Sequence, residues 1–287
     1  MSTNPITKVY VTESPTDRSK LIQWKLDPSF PELTSYSFYI ETARATDPSW
    51  TRLNPSAPIV DMCWYSDPTV YRYNYRHDLY YRVVLDDGGT EYISEASNVR
   101  GTLDKTERRM VRAALVNEYE RFTKWHVGTI GWLLKKRIYG TACTVCADFD
   151  LPNDGGLASC STCYGTGIVG GYYQGYPYYV DFTKLDVHDK DIVIPFGTED
   201  NPELLGRCIA YPILSSQDLW VEKDTNKRYV IRQIQTLARI RDTVISYTAV
   251  FKELPGTRVE YDVPVYGDTA LVSDVETEWR NAVDYNL

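Results

Sequence analysis

Across residues 8–100 the apolar positions recur every second residue, in short runs broken by turn signals. "LIQWKL" sets Leu21, Gln23 and Lys25 on one face and Ile22, Trp24 and Leu26 on the other. "SYSFYIETA" puts Tyr36, Phe38 and Ile40 together by the same period. "DLYYRVVL" is a further strand, followed by the turn "DDGG" and then "EYISEASNV". Side chains alternate across a pleated strand, so this pattern predicts half-buried strands. Several at this spacing, with no helical patterning, predict an antiparallel sandwich.

The period then changes. In "LDKTERRMVRAALVNEYERFTKWHV", Val111, Leu115, Tyr119 and Phe122 recur at helical spacing, while Arg108, Arg112 and Glu120 fall elsewhere on the wheel. Asp104, with Glu107 three residues on, has the pattern of a capping box. Gly128 and Gly131 are expected to end or bend this helix near residue 127. "WLLKKRIYG" leads on as a strand, and "GIVGGYYQGYPYYVDFTK" reads as strand and loop. The pattern turns β again in "GRCIAYPIL", "DLWVEK", "KRYVIRQIQTLARI" and "TVISYTAVFKEL", with the tight turn "DTNK" predicting a hairpin.

The expected fold class is therefore mainly β with one or two helices, an α+β multidomain chain. Five segments are predicted: a sandwich over 1–101, an amphipathic helix and connecting strand over 102–140, a cysteine segment over 141–180, a small β-barrel or sandwich over 181–265, and an acidic tail or short terminal helix over 266–287.

The first segment resembles a fibronectin type III domain. "LIQWKLD", "YSFYIETA" and "YYRVVLDDGGTEYISEASNV" look like that family's strands B, C and F–G, and Trp24 matches its strand-B core tryptophan. Leu79 stands where the family has its strand-F corner tyrosine, a departure. The resemblance covers about a third of the chain. It implies a spacer or contact module and brings no catalytic residues.

Cysteine usage carries the chemistry. "CTVCADFDLPNDGGLASCSTCYGTG" holds Cys143, Cys146, Cys160 and Cys163 as two Cys-x-x-Cys pairs. Two such pairs on separate turns can bring four thiolates to the corners of a tetrahedron, the arrangement of a structural zinc site. Gly165 and Gly167 permit the positive backbone angles of a knuckle turn. The loop between the pairs has turn chemistry and no apolar face, so a metal would supply its folding free energy. A rubredoxin-type iron centre uses the same ligands, and a disulfide staple requires an oxidising setting. A redox dithiol needs an electropositive pocket, whereas Asp148, Asp150 and Asp154 surround these pairs.

Composition adds limits. The 24 tyrosines and 7 tryptophans suit sheet surfaces and interfaces. A net charge of −8 argues against a nucleic-acid binder, although segment 102–140 carries +5 between flanks of −3 and −10. That segment reads either as a helix face for an acidic partner or as a solvated helix. "MSTNPITKVY" lacks the apolar core of a signal peptide, and the run around "VGTIGWLL" is too short to cross a bilayer. Folding in a cytoplasm is the expectation.

Catalytic signatures are absent from the sequence. His77, His126 and His188 lie in no metal or catalytic motif, and no P-loop, GxGxxG or GxSxG occurs. "DVHDKD" around His188 reads as a solvated turn or a weak cation site. Cys63 and Cys208 read as small buried hydrophobes. No enzyme activity is expected.

A second resemblance concerns position in an assembly. The stretch from Gly140 to Tyr173, with "CYGTG" and "GGYY", is similar to a cysteine segment of structural proteins in tailed bacteriophages. "QDLWVEKDTNKRYVIRQIQTLARIRDTVISYTAVFKELP" resembles, more loosely, the β-barrels of phage head-completion and neck proteins. Together they imply a virion protein, a neck or head–tail connector subunit. It would form a ring homo-oligomer between portal and tail proteins and carry structural Zn2+. It would contact no membrane and no specific nucleic-acid sequence, with DNA passing through the ring. Two alternatives remain open: a zinc-ribbon nucleic-acid-binding or transcription protein, and a fibronectin-type adhesin or decoration protein.

Overall fold

The computed structural model describes residues 4–15, 19–27, 36–44, 47–60, 62–68, 79–99, 101, 103–125, 127–146, 159–182 and 203–265. The three histidines, the "DVHDKD" stretch, the aspartates 148, 150 and 154 and the segment 266–287 lie outside them. The described chain is mainly β with one α-helix, as the sequence pattern predicts.

Seven strands build the first module: β1 (Ile6–Glu13), β2 (Lys20–Leu26), β3 (Ser37–Arg44), β4 (Asp47–Arg52), β5 (Trp64–Asp67), β6 (Leu79–Asp87) and β7 (Thr90–Ile93). They form two antiparallel sheets, ordered β1-β2-β5 and β4-β3-β6-β7. Ile22, Trp24 and Leu26 from one sheet meet Phe38, Ile40, Val83 and Leu85 from the other in a single core. Trp24 and Phe38 pack at 5.1 Å between ring centroids. Leu79 is only half-buried, but Tyr81 two residues on is fully buried, and its hydroxyl donates to Asp67 Oδ2 at 2.9 Å. The aromatic tie missed at Leu79 is thus made at Tyr81, the residue that the period of two points inward beside Val83.

The other face of β2 departs from expectation. Leu21 and Gln23 are buried rather than solvated. Gln23 Oε1 accepts a hydrogen bond from Ile213 N at 3.0 Å.

Helix α1 (Lys105–Thr123) begins with the expected capping box: Asp104 accepts from the Thr106 and Glu107 amides, and Glu107 accepts from the Asp104 amide. It ends at Lys124, ahead of both glycines, so neither is its terminator. Val111, Leu115 and Phe122 bury one face. The basic residues of this helix are mostly tied down. Arg108 and Arg112 pair with Glu13 of β1, and Arg121 pairs with Asp181 at 2.8 Å. Lys124 pairs with Glu120 along the helix. The +5 of this segment is therefore largely internal bracing rather than an open basic face.

Six strands close the second module: β8 (Thr129–Leu134), β9 (Tyr176–Asp181), β10 (Glu203–Ile209), β11 (Leu219–Glu222), β12 (Arg228–Ile240) and β13 (Thr243–Glu253). The barrel order is β10-β13-β12-β11-β8-β9. It thus exceeds the expected 181–265 boundary, taking β8 and nearly all of β9 from segments assigned elsewhere. Short apolar runs do not name their partners, so the pattern alone could not join them. Trp220, Tyr178, Phe251 and Leu133 fill the centre. Trp220 Nε1 donates to Tyr178 O at 3.2 Å, and the Tyr178 hydroxyl donates to Ile209 O. Gly131 is where the backbone runs close to this tryptophan. A Cβ there would stand 2.3 Å from Val221 O and 2.5 Å from the indole.

At the joint between the modules Lys135 Nζ donates to Ile213 O, Ser215 Oγ and Asp218. Asp218 also accepts from the amides of Ser215 and Lys136, so the buried pair is hydrogen-bonded on both sides. Desolvation nevertheless leaves the Asp218 carboxyl above its ordinary range. Cys208 is a buried thiol, as expected, whereas Cys63 is only half-buried; desolvation nonetheless pushes Cys63 up to about 12 and Cys208 higher still.

Two predictions follow from this packing. Gly131→Ala should destabilise the protein by about 1–3 kcal/mol through overpacking, read as a lower urea midpoint at unchanged slope. Burial also raises Tyr178 and Tyr229 and lifts Tyr247 to about 12. The unfolded chain releases these protons near pH 10 while the folded chain keeps them, so stability present below about pH 10 is lost as pH rises towards 12. Urea titrations between pH 8 and about 11.5 should show a falling midpoint; a flat profile would contradict the burial.

Candidate metal centre

The cysteine segment is the tip of one long hairpin. β8 and β9 pair from Thr129↔Val180 to Leu133↔Tyr176, and the arms meet again at the isolated bridges Lys136↔Tyr172 and Ala142↔Ile168, each one residue out of the β8–β9 register and in opposite senses. Cys143 directly follows Ala142 of the last bridge, and Cys163 lies five residues before its other member, Ile168. The first turn is closed by Cys146 N donating to Cys143 O at 3.1 Å. The second is closed by Tyr164 N donating to Cys160 O at 2.8 Å and Thr166 N to Cys163 O at 2.9 Å. The turns are tied together where Cys143 N donates to Gly167 O at 2.9 Å.

All four predicted residues are brought together. Cys143, Cys146, Cys160 and Cys163 are buried, and their sulfurs lie within 4.8 Å of one another. The close approaches run between the pairs: Cys143 to Cys160 at 3.7 Å and Cys146 to Cys163 at 3.6 Å. Four sulfurs placed about 2.3 Å from a central ion in a tetrahedron stand about 3.8 Å apart, so the cluster fits a four-thiolate metal site. A disulfide needs about 2.05 Å, and all four thiols are free. The centre is saturated by protein sulfur, with no fifth described residue of metal-binding type in the cluster.

The local backbone favours the thiolate form that a metal requires. Cys160 is drawn down to about 6, first by the Cys163 amide donating to its sulfur and also by the Thr162 amide. Burial instead pushes Cys163 up, although the Gly167 and Gly165 amides oppose this. An ion would hold both as thiolates.

Sequence reading found the ligands and the turn glycines Gly165 and Gly167, whose φ values are 77° and 83°. It missed three supports. Thr166 Oγ1 donates to Cys163 O at 2.7 Å and locks the second turn. Gly171, at φ 62°, passes so close that a Cβ would lie 2.6 Å from Cys163 O. Tyr139, four residues before the first ligand, is buried in the core of the sandwich, edge-on to Tyr36 at 5.7 Å. A Thr or a Tyr near cysteines carries no such signal; only the double glycine after "GIV" hinted at a close approach.

The second turn also reaches the end of the described chain. Tyr164 packs with Tyr261 and Val265 against a cluster built on Trp132, Leu134 and Tyr172. Buried Arg228 holds that strap by donating to Glu260 O and to Val263 O at 2.9 Å.

No protein-family model matches the sequence, and no curated protein matches it. Among solved structures, the chain is similar to titin kinase and its flanking domains at 9% identity and a TM-score of 0.26. That alignment covers 87% of this chain and 37% of the other, well under two thirds of its length. A likeness at this level carries no argument about function. No described helix is long and apolar enough to cross a membrane.

Because Gly171 needs both a left-handed backbone and the room left by a missing Cβ, Gly171→Ala should loosen the second turn without removing a ligand. Zinc loaded into this variant should pass to a chromogenic chelator at least about tenfold faster than zinc loaded into the parent protein, as for other changes to residues that support metal ligands. An unchanged transfer rate would show that this approach does not hold the site.

Proposed function

We propose that Cys143, Cys146, Cys160 and Cys163 hold one structural zinc ion. We further propose that the chain is a non-catalytic virion protein of a tailed bacteriophage, a neck or head–tail connector subunit forming a ring between portal and tail. The observation that carries this reading is the unity of the two segments resembling phage proteins. The cysteine stretch is the tip of the β8–β9 hairpin, and the second stretch is β11–β13. Both belong to one six-stranded barrel. The fibronectin-like resemblance of the sandwich is supported by its two sheet orders and by the buried Trp24.

Zinc is favoured by the donor set, since four thiolates without an open position suit a closed structural site. When bound, the ion supplies folding free energy to a tip that has little apolar surface of its own. A nucleic-acid reading loses its motive once Arg108, Arg112 and Arg121 are seen pairing with carboxylates of the same chain.

Two measurements test the proposal. Protein purified without added metal should carry about one zinc per chain by elemental analysis, falling to near zero in Cys163→Ser. Iron in its place, or less than about half an equivalent of any metal, would overturn the zinc reading. Labelling of purified phage particles should place the chain at the head–tail junction; absence from particles would overturn the connector reading.

A further inference from the structure

Two open sheet edges of opposite charge stand out, one on each module. The first is the distal part of β12. β11 pairs with β12 only over Arg228–Val230, and Ile231 bonds Gln217 and Asp218. Among the described residues no strand lies along the outer edge from Arg232 to Ile240. Ile234, Ala238 and Ile240 turn inward onto the barrel core. Arg232, Gln235, Leu237 and Arg239 are exposed, with Leu237 46% exposed between the arginines.

The second is β7, which pairs with β6 and is the last strand of its sheet. Tyr92 turns inward onto the sandwich core. Glu91, Ile93 and Glu95 alternate outward, with Ile93 42% exposed between the glutamates. The present partners there are surface ones: Asn4 Nδ2 donates to Ile93 O at 2.6 Å, and Arg52 pairs with Glu91 at 3.0 Å.

An exposed strand edge bearing a bare apolar side chain invites pairing, and charge decides with what. Two β12 edges would bring together strands whose only exposed charges are arginines, and two β7 edges would bring together strands whose exposed charges are glutamates. A β12 edge against a β7 edge matches both charge and apolar content. With Leu237 set against Ile93, Arg239 falls opposite Glu91 in antiparallel pairing and opposite Glu95 in parallel pairing.

We propose that the β12 edge of one copy docks on the β7 edge of the next copy, a head-to-tail contact between second copies of this chain. Such a heterologous contact propagates and, with the right rotation, closes into a ring. The proposal rests on the ring reading above and names the surface through which the ring forms.

The test uses the full chain and two charge-reversal variants, E91K/E95K and R232E/R239E, followed by sedimentation velocity over a concentration series. The parent should self-associate, and each variant alone should associate at least about tenfold more weakly, corresponding to about 1.4 kcal/mol. Mixed in equal amounts, the two variants should regain assembly, because each edge then meets one of opposite charge. Recovery on mixing also shows that both variants are folded. If the parent assembles but the variants assemble equally well alone, or their mixture does not recover, the surface is wrong and the ring reading stands. A parent that stays monomeric throughout the series overturns both.

Discussion

Convergence of four sulfurs at the end of a hairpin is the constraint on which the architecture depends. The sequence between the two cysteine pairs is polar and rich in turn residues, yet the arms on either side meet at Ala142↔Ile168. Closing so long a polar loop costs entropy that backbone hydrogen bonds at its base cannot offset alone. Four thiols within 4.8 Å supply the missing closure when an ion draws them together. The barrel inherits that constraint through the hairpin, whose arms run from the tip through two bridges into β8 and β9.

The inheritance is visible on both sides of the hairpin. On one side Tyr139 reaches into the sandwich core, and Gly140 passes between Ile168 and Tyr36. On the other, Tyr164 meets the strap that Arg228 pins through two carbonyl oxygens. Packing contacts of this kind tolerate little displacement, since close-packed side chains have few alternative arrangements. The tip thus bears on the docking of the sandwich and on the course of the chain up to Val265.

How much of this was legible in the sequence depends on the range of each interaction. Local patterns were readable: the inward row Ile22, Trp24 and Leu26, the Asp104–Glu107 capping box, and the spacing of the four cysteines. What failed needed knowledge of a distant neighbour. Gln23 alternates like a solvent-facing residue, but it is buried and accepts from Ile213 N, 190 residues on. Gly131 looks like a helix terminator, while its cause is Trp220, 89 residues away in sequence. The arginines of α1 look like a basic surface until Glu13 and Asp181 arrive from separate strands. Strand partnership, such as β8 with both β9 and β11, is not written in periodicity at all.

The joint between modules explains why rigidity here does not rest on apolar area alone. Its centre is a small cavity of about 70 Å3 bordered by Gln23, Cys63, Lys135, Tyr139, Ile213 and Asp218. Burying a lysine and an aspartate there costs desolvation that their attraction does not fully offset, as the raised Asp218 carboxyl indicates. The Lys135–Asp218 pair, with Ser215, Ile213 O and the Lys136 amide completing it, is satisfied in one arrangement only. Gln23 then extends the same network across the joint to Ile213 N. The modules thus meet at this polar network and again at Tyr139, four residues before the thiol cluster, and a defined angle between them is what a repeating head-to-tail contact requires if it is to close rather than wander.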